Sequence, residues 1–220
     1  MIGYLIFIPI GFLLGSVPFG LIAGKMSGVD VREHGSGNTG MANVMRSVNT
    51  PTGILVLLLD MTKCVIPVIL ARTFTDTPTI DVLTAIAAIV GHSYSPFLRF
   101  NGGKGTATGW GGLLILSPLS GLVAGIIGVG TILLTRYVSV GSMLSATLGS
   151  SCLVVLAIIG AEPLIYALYG IIGTTVIIAR HRDNIRRLRS GQERKIGQQT
   201  ETSARAMTKR FKGLRWPRAV

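Results

Sequence analysis

The residues that could do chemistry fall into three polar stretches between apolar ones. The first to stand out is Asn101-Gly102-Gly103-Lys104-Gly105-Thr106-Ala107-Thr108, where three glycines surround one lysine. Glycines let backbone N–H groups turn toward a ligand without interference from a Cβ, and the lysine adds a point charge. That chemistry suits a phosphate. It is not a Walker A loop, because Gly105 follows Lys104 and no glycine stands five residues before it. The same residues also make an ordinary glycine-rich turn between helices, and the stretch alone does not separate the two readings.

A second stretch, His34-Gly35-Ser36-Gly37-Asn38-Thr39-Gly40-Met41-Ala42-Asn43-Val44-Met45-Arg46, is dense in hydrogen-bond donors and leads into a helix start. A helix start offers free N–H groups and a favourable dipole to an anion. Asn43 and Arg46, three apart, share a face. The competing reading is a polar connection with Ser36 or Asn38 as an N-cap. The third stretch, Arg180-His181-Arg182-Asp183-Asn184, puts His181 and Asn184 on one helix face where an apolar segment ends. Arg182, Arg186 and Arg189 line another face, best read as solvated or facing lipid headgroups. The connection Arg136–Ser142 adds a cation and two hydroxyls, Ser139 and Ser142. His92, just before a Ser/Pro turn, reads as structural.

Several chemistries lack support. The three histidines show no metal-ligand spacing, so neither a metal nor a cofactor is expected. No G-x-S-x-G elbow occurs. No histidine is followed by aspartate five positions on, which removes the H-x4-D acyltransferase signature. Cys64 and Cys152 lie inside apolar runs and read as packing residues.

The elements that must position these residues are apolar. The chain of 220 residues is 49% hydrophobic and 14% charged, where a soluble domain carries about a quarter charged residues. Seven apolar segments can be marked, near 4–24, 52–72, 80–98, 106–118, 119–135, 138–159 and 163–179. The fourth and fifth are short and divided only by Ser117-Pro118, so that beside two separate segments, one broken segment or a re-entrant pair also stays open. The first has no small-residue cleavage site after it and reads as a retained span, kinked at Gly15-Ser16-Val17-Pro18-Phe19-Gly20. Asp60 and Lys63, three apart in the second, would each cost roughly 2.5–3.5 kcal/mol at mid-membrane if unpaired. They either pair with each other or belong to a site.

Nearly every Lys and Arg lies in the connections near 25–51, 99–105 and 136 and after 180. By the positive-inside rule this predicts an all-α integral membrane protein of about seven transmembrane helices, N-terminus outside and C-terminus cytoplasmic. The formal net charge is +12, and Arg180–Val220 holds thirteen Lys/Arg against three acids. So concentrated a tail fits the cytoplasmic face or anionic lipid and not nucleic acid. Residues 1–197 read as one membrane domain and 198–220 as a basic, polar tail.

With these stretches in view, the chain resembles the bacterial acyl-phosphate:glycerol-3-phosphate acyltransferase family of integral membrane enzymes. The resemblance runs through Gly15-Ser16-Val17-Pro18-Phe19-Gly20, Ser36-Gly37-Asn38-x-Gly40, Asn43-x-x-Arg46 and Asp60-x-x-Lys63. It continues through Gly91-His92, Phe100-x-Gly102-Gly103-Lys104-Gly105, His181-Arg182-x-Asn184-Ile185 and Gly191-x-Glu193. Met41 and Ala42, Cys64 in place of a usual glycine, and Asn101 in place of a usual lysine depart from the pattern.

The resemblance implies transfer of a fatty acyl group from acyl phosphate to the 1-hydroxyl of glycerol 3-phosphate, in a cell (inner) membrane with the site facing the cytoplasm. It implies Ser36, Arg46, His181 and Asn184 as essential groups, with Asn38, Asn43, Gly102, Gly103, Lys104, Gly105 and Ser142 toward substrate phosphate. Asp60, Lys63 and Glu193 are implied as structural support. Oligomeric state is not legible. Two dianions about 6 Å apart at an effective dielectric near 20 repel by roughly 11 kcal/mol, so such a site needs several fixed donors and cations. Arg46, Lys104 and the loop amides are candidates, with His181 adding charge if protonated. The proton of the attacking hydroxyl could pass to His181 or to the donor's own phosphate.

Overall fold

Proline and glycine set the helix boundaries. The structure, a computed structural model, describes residues 1–197, and the basic segment expected over 198–220 lies outside them. Helix α1 (Ile2–Ser16) ends at Val17-Pro18, and α2 (Phe19–Met26) restarts beyond it. The kink expected in the first segment is therefore a break. A long polar connection leads to the short α3 (Met41–Ser47). Helix α4 (Thr50–Thr75) follows, where Asn49 caps the start by accepting from the Thr52 N–H at 2.8 Å. After Asp76, left-handed at φ 44°, α5 (Pro78–Ser93) begins with proline at its first position, where the missing N–H costs no helical bond.

A 3-10 turn at Pro96–Leu98 and the glycine–lysine stretch lead into α6 (Thr106–Leu116), and α7 (Pro118–Thr135) starts one residue later. Trp110 Nε1 donates to the Gly121 carbonyl at 2.8 Å, so α7 folds back along α6. The fourth and fifth segments are thus a tight hairpin rather than one broken helix. The chain continues with α8 (Val138–Ile158), α9 (Tyr166–Arg180) and α10 (Arg182–Arg189). Among the described residues there is no strand.

Five stretches are long and apolar enough to cross a membrane: Ile2–Met26, Thr50–Thr75, Pro78–Leu98, Pro118–Thr135 and Val138–Ile158. Helices α6 and α9 are apolar but shorter; at 1.5 Å per residue α6 extends only about 16 Å. Leu5, Leu13, Leu58, Ile126, Leu133 and Val155 face outward and exposed, as a lipid-facing surface requires.

The core runs through the middle of α4–α9 and includes Val68, Val82, Ile89, Leu113, Leu153 and Tyr169. Helix α1 packs on α5 so closely that a side chain at Gly15 would strike the Ala88 carbonyl, and one at Gly91 the Phe12 carbonyl. Small residues permit that approach where lipid supplies no hydrophobic drive between helices. A second apolar cluster, Leu21, Val31, Val44, Val56 and Leu98, braces the polar connections from beneath.

Those connections meet at one end of the bundle. Arg180 reaches the Gly102 and Gly103 carbonyls, and the Arg136 and Ile196 backbones bond to each other. At the other end, Arg72 ties four helices. It bonds Asp81 Oδ2 at 2.6 Å, the Ile115 carbonyl at 2.6 Å and the Tyr166 hydroxyl at 3.0 Å.

Candidate active site

The converging connections enclose a cavity of about 190 Å³. Its walls divide by chemistry. Ser36, Asn38, Arg46, Lys104, His181, Asn184, Arg187, Glu193 and Arg194 supply polar lining, while Leu57 of α4, Trp110 of α6 and Gly125, Gly128, Val129 and Ile132 of α7 supply the walls of an apolar slot. Glycine shapes the slot: a Cβ at Gly125 would lie 2.7 Å from the Trp110 ring, and one at Gly128 would lie 2.9 Å from Ser145.

Two cations of the polar lining lack a direct partner among the described residues, the nearby carboxylate of Glu193 being bonded to Arg187. Arg46 and Lys104 have no hydrogen-bond or ion-pair partner among the described residues, and Arg46 Nε is buried and unbonded. Burial lowers the Lys104 ammonium to about pKa 8, with Arg187 and Arg46 pushing the same way against the opposing pull of Glu193. Burial, then the charge of Arg194, lowers Arg46, which as a guanidinium stays charged regardless. Two cations with no direct ion-pair partner in a partly closed cavity are a site for an anion.

His181 is 1% exposed overall and lies beside these cations. Its Nδ1 is 2.8 Å from the Ile177 carbonyl oxygen, which can only accept, so Nδ1 carries the proton and Nε2 is left as an acceptor. Burial, reinforced by Lys104, lowers the imidazole to about pKa 4. His181 is therefore neutral near pH 7 and does not add the further positive charge allowed by the sequence. Asn184 gives its amide to Glu193 Oε1 at 2.7 Å, which leaves its Oδ1 buried and unbonded.

The glycine–lysine stretch divides in a way the sequence did not reveal. The N–H groups of Gly102 and Gly103 donate back to the Ser93 and His92 carbonyls at 3.2 and 3.0 Å, and neither residue lines the cavity. They cannot cradle a phosphate with those amides. Their smallness serves another purpose, because a Cβ on Gly103 would overlap the His92 ring. The cavity is instead lined by Lys104, Gly105, Thr106 and Ala107 at the start of α6, where the first N–H groups of a helix have no intrahelical partner. Gly105 sits at φ 79°, which glycine alone adopts without strain.

Other expected site residues sort similarly. Asn43 lines the cavity, but its Oδ1 accepts from the Ser36 N–H at 2.8 Å and its Nδ2 donates to the Val31 and His34 carbonyls. Its amide holds the loop in shape. Asn38 Oδ1 accepts from the Gly40 N–H, forming a local turn. Ser142 lines the cavity next to Ser139. Asp60 and Lys63 pair at 2.7 Å with both side chains 3% exposed, and Lys63 Nζ also lies 3.3 Å from His92 Nδ1. Among the described residues, no group of three or more His, Cys, Asp or Glu could hold a metal ion.

The glycerol-3-phosphate acyltransferase profile matches residues 5–191. The chain belongs to the glycerol-3-phosphate acyltransferase family. A glycerol-3-phosphate acyltransferase of Rubrobacter xylanophilus is 42% identical over 86% of this chain and 92% of its own length. One of Halalkalibacterium halodurans is 44% identical over 87% and 95% respectively. The crystal structure of PlsY, an integral membrane glycerol 3-phosphate acyltransferase in its glycerol 3-phosphate form, superposes with a TM-score of 0.81. It shares 35% identity and covers 88% of this chain and 96% of that one. A lysophosphatidic acid form of the same enzyme matches with a TM-score of 0.79 at 34% identity.

For this member of the acyltransferase family, two site features had no sequence signal. The role of His92 as a brace between Lys63, Thr108 and Gly103 depends on how α4, α5 and α6 pack. The Arg180 contacts to the glycine carbonyls join residues 77 and 78 positions apart.

Proposed function

We propose that this protein transfers a fatty acyl group from acyl phosphate to the 1-hydroxyl of glycerol 3-phosphate, releasing lysophosphatidic acid and phosphate. The observation that carries this reading is that one cavity has both the cations Arg46 and Lys104 and an apolar slot in its walls. Each substrate brings a phosphate, and one brings an acyl chain, so both kinds of wall have an occupant. The relatives named above support the acceptor, and the family resemblance supports the donor.

Arg46, Lys104 and the first amides of α6 offset the charge of the two phosphates. The hydroxyl oxygen attacks the acyl carbonyl carbon, the carbon–oxygen bond to phosphate breaks, and phosphate leaves with the electron pair. No covalent enzyme intermediate is needed, because a mixed anhydride is already activated. Holding hydroxyl and carbonyl together supplies on the order of 7–11 kcal/mol in favourable cases. The Ser36 hydroxyl and α6 amides stabilise the developing oxyanion.

A neutral imidazole with Nε2 free is the form a general base requires, so the reading assigns the hydroxyl proton to His181. Asn184 Oδ1 accepts a hydrogen bond from the acceptor's second hydroxyl. Asp60–Lys63 and Glu193 hold the surrounding elements. The chain crosses the membrane seven times with its N-terminus outside, which sets this end of the bundle in the cytoplasm where glycerol 3-phosphate arrives. The bilayer is the cell's inner membrane.

The test is purified protein in lipid with acyl phosphate and labelled glycerol 3-phosphate, monitored for lysophosphatidic acid. Turnover with acyl phosphate but not acyl-CoA is expected. His181→Ala and Arg46→Ala should abolish it in protein that still inserts. Full activity in either variant, or product from acyl-CoA alone, overturns the assignment.

A further inference from the structure

We propose that Arg180 is a positioning residue that fixes Lys104 and the start of α6 relative to His181. Arg180 is cationic and close to the site, yet it does not line the cavity. Its guanidinium instead faces backbone: Nε donates to the Gly103 carbonyl at 3.1 Å and Nη2 to the Gly102 carbonyl at 2.7 Å. Asn101 Oδ1 lies 3.5 Å from the same Nη2, and the guanidinium stands 5.4 Å from the centroid of the Tyr94 ring. All of its visible partners belong to one loop.

That loop is held from two sides. Its Gly102 and Gly103 N–H groups bond the last carbonyls of α5, and its carbonyls bond Arg180 at the end of α9. Lys104 is the next residue along. His181 is the next residue after Arg180, with its ring fixed on the Ile177 carbonyl in the same last turn. One turn of α9 thus carries the imidazole directly and the cationic loop through Arg180. The planar fork of a guanidinium holds two adjacent carbonyls with a rigid pair of donors, whereas an ammonium, though it has three donors, lacks that fixed geometry.

This inference rests on the proposed reaction for its kinetic readout. In the purified protein, Arg180→Lys should raise about tenfold the KM of whichever substrate Lys104→Met weakens, and leave the other KM unchanged. Combined with Lys104→Met, Arg180→Lys should cost less in kcat/KM than the product of the two single losses, because part of its effect runs through the placement of the Lys104 charge. Losses that multiply, or unaltered kinetics in Arg180→Lys, overturn the proposal. A second measurement is independent of turnover. Hydrogen exchange at Gly102 and Gly103 should accelerate in Arg180→Lys, and unchanged exchange also overturns it. Wild-type protein with no turnover would sink the reaction assignment, leaving exchange to decide the role of Arg180.

Discussion

Asn184 donates to Glu193 Oε1 at 2.7 Å, and this bond decides which atom Asn184 turns elsewhere. An asparagine amide offers either donors or an acceptor to a cavity, depending on its rotation. Glu193, which also accepts from Arg187 Nε at 2.8 Å, uses the donor side and leaves Oδ1 unbonded.

Replacing Glu193 with alanine should therefore lower kcat about 10- to 100-fold, the equivalent of a charged hydrogen bond of about 1.5–3 kcal/mol. Glu193→Gln, which keeps an acceptor but loses the charge, should lose less. Burial raises the Glu193 carboxyl, but the nearby Ser139 hydroxyl and the hydrogen bonds from Asn184 and Arg187 outweigh it, and the group ends below its usual value. A depressed carboxyl contributes stability that is complete above the unfolded pKa, near 4.5, and is lost as pH falls through the folded one. Thermal midpoints in detergent should fall with acidification more in the wild type than in Glu193→Gln.

Lys104 predicts an alkaline limb. With its pKa lowered to about 8, the side chain loses its charge as pH rises through that value, and the cavity loses a cation. The kcat/KM profile, which reports groups of the free enzyme, should decline above about pH 8. Lys104→Arg should move that decline upward. His181, at about pKa 4, should contribute no limb near neutrality. An alkaline limb unchanged in Lys104→Arg would assign it to another group.

The buried pair at the base of the site yields a stability prediction. Lys63→Met leaves Asp60 uncompensated and should cost about 3–5 kcal/mol of unfolding free energy. Adding Asp60→Asn should recover much of that loss. Denaturation of the single and double variants checks both signs.

The apolar slot predicts a chain-length effect. Gly125→Leu would fill the space against the Trp110 ring, which its bond to Gly121 holds in place. Turnover of long-chain acyl phosphate should drop at least tenfold while a short-chain donor retains most of its rate. Assays across a donor series measure the ratio.

Local spacing revealed part of this arrangement. Asp60 and Lys63 pair because residues three apart on a helix are neighbours, and Pro18 interrupts the first helix because it removes a donor. The glycine stretch was harder. A glycine signals either an amide open to a ligand or a close approach of backbone, and only the position of His92 tells which applies at Gly103. The Arg72–Asp81–Tyr166 cluster was invisible for a related reason: Tyr166 is 94 residues from Arg72 and meets it only after the helices pack. Sequence identified the polar residues, but whether each faces cavity or scaffold depended on contacts between helices.

The cavity's two walls have a kinetic consequence. If the acyl donor and the lysolipid product both keep their chains in the bilayer through the slot, neither has a meaningful bulk concentration at the site. Their supply is set by mole fraction in the membrane and by lateral diffusion, while glycerol 3-phosphate and released phosphate exchange with water. Diluting the donor with inert lipid at constant total donor should then slow the reaction, whereas diluting the whole suspension while holding glycerol 3-phosphate constant should not.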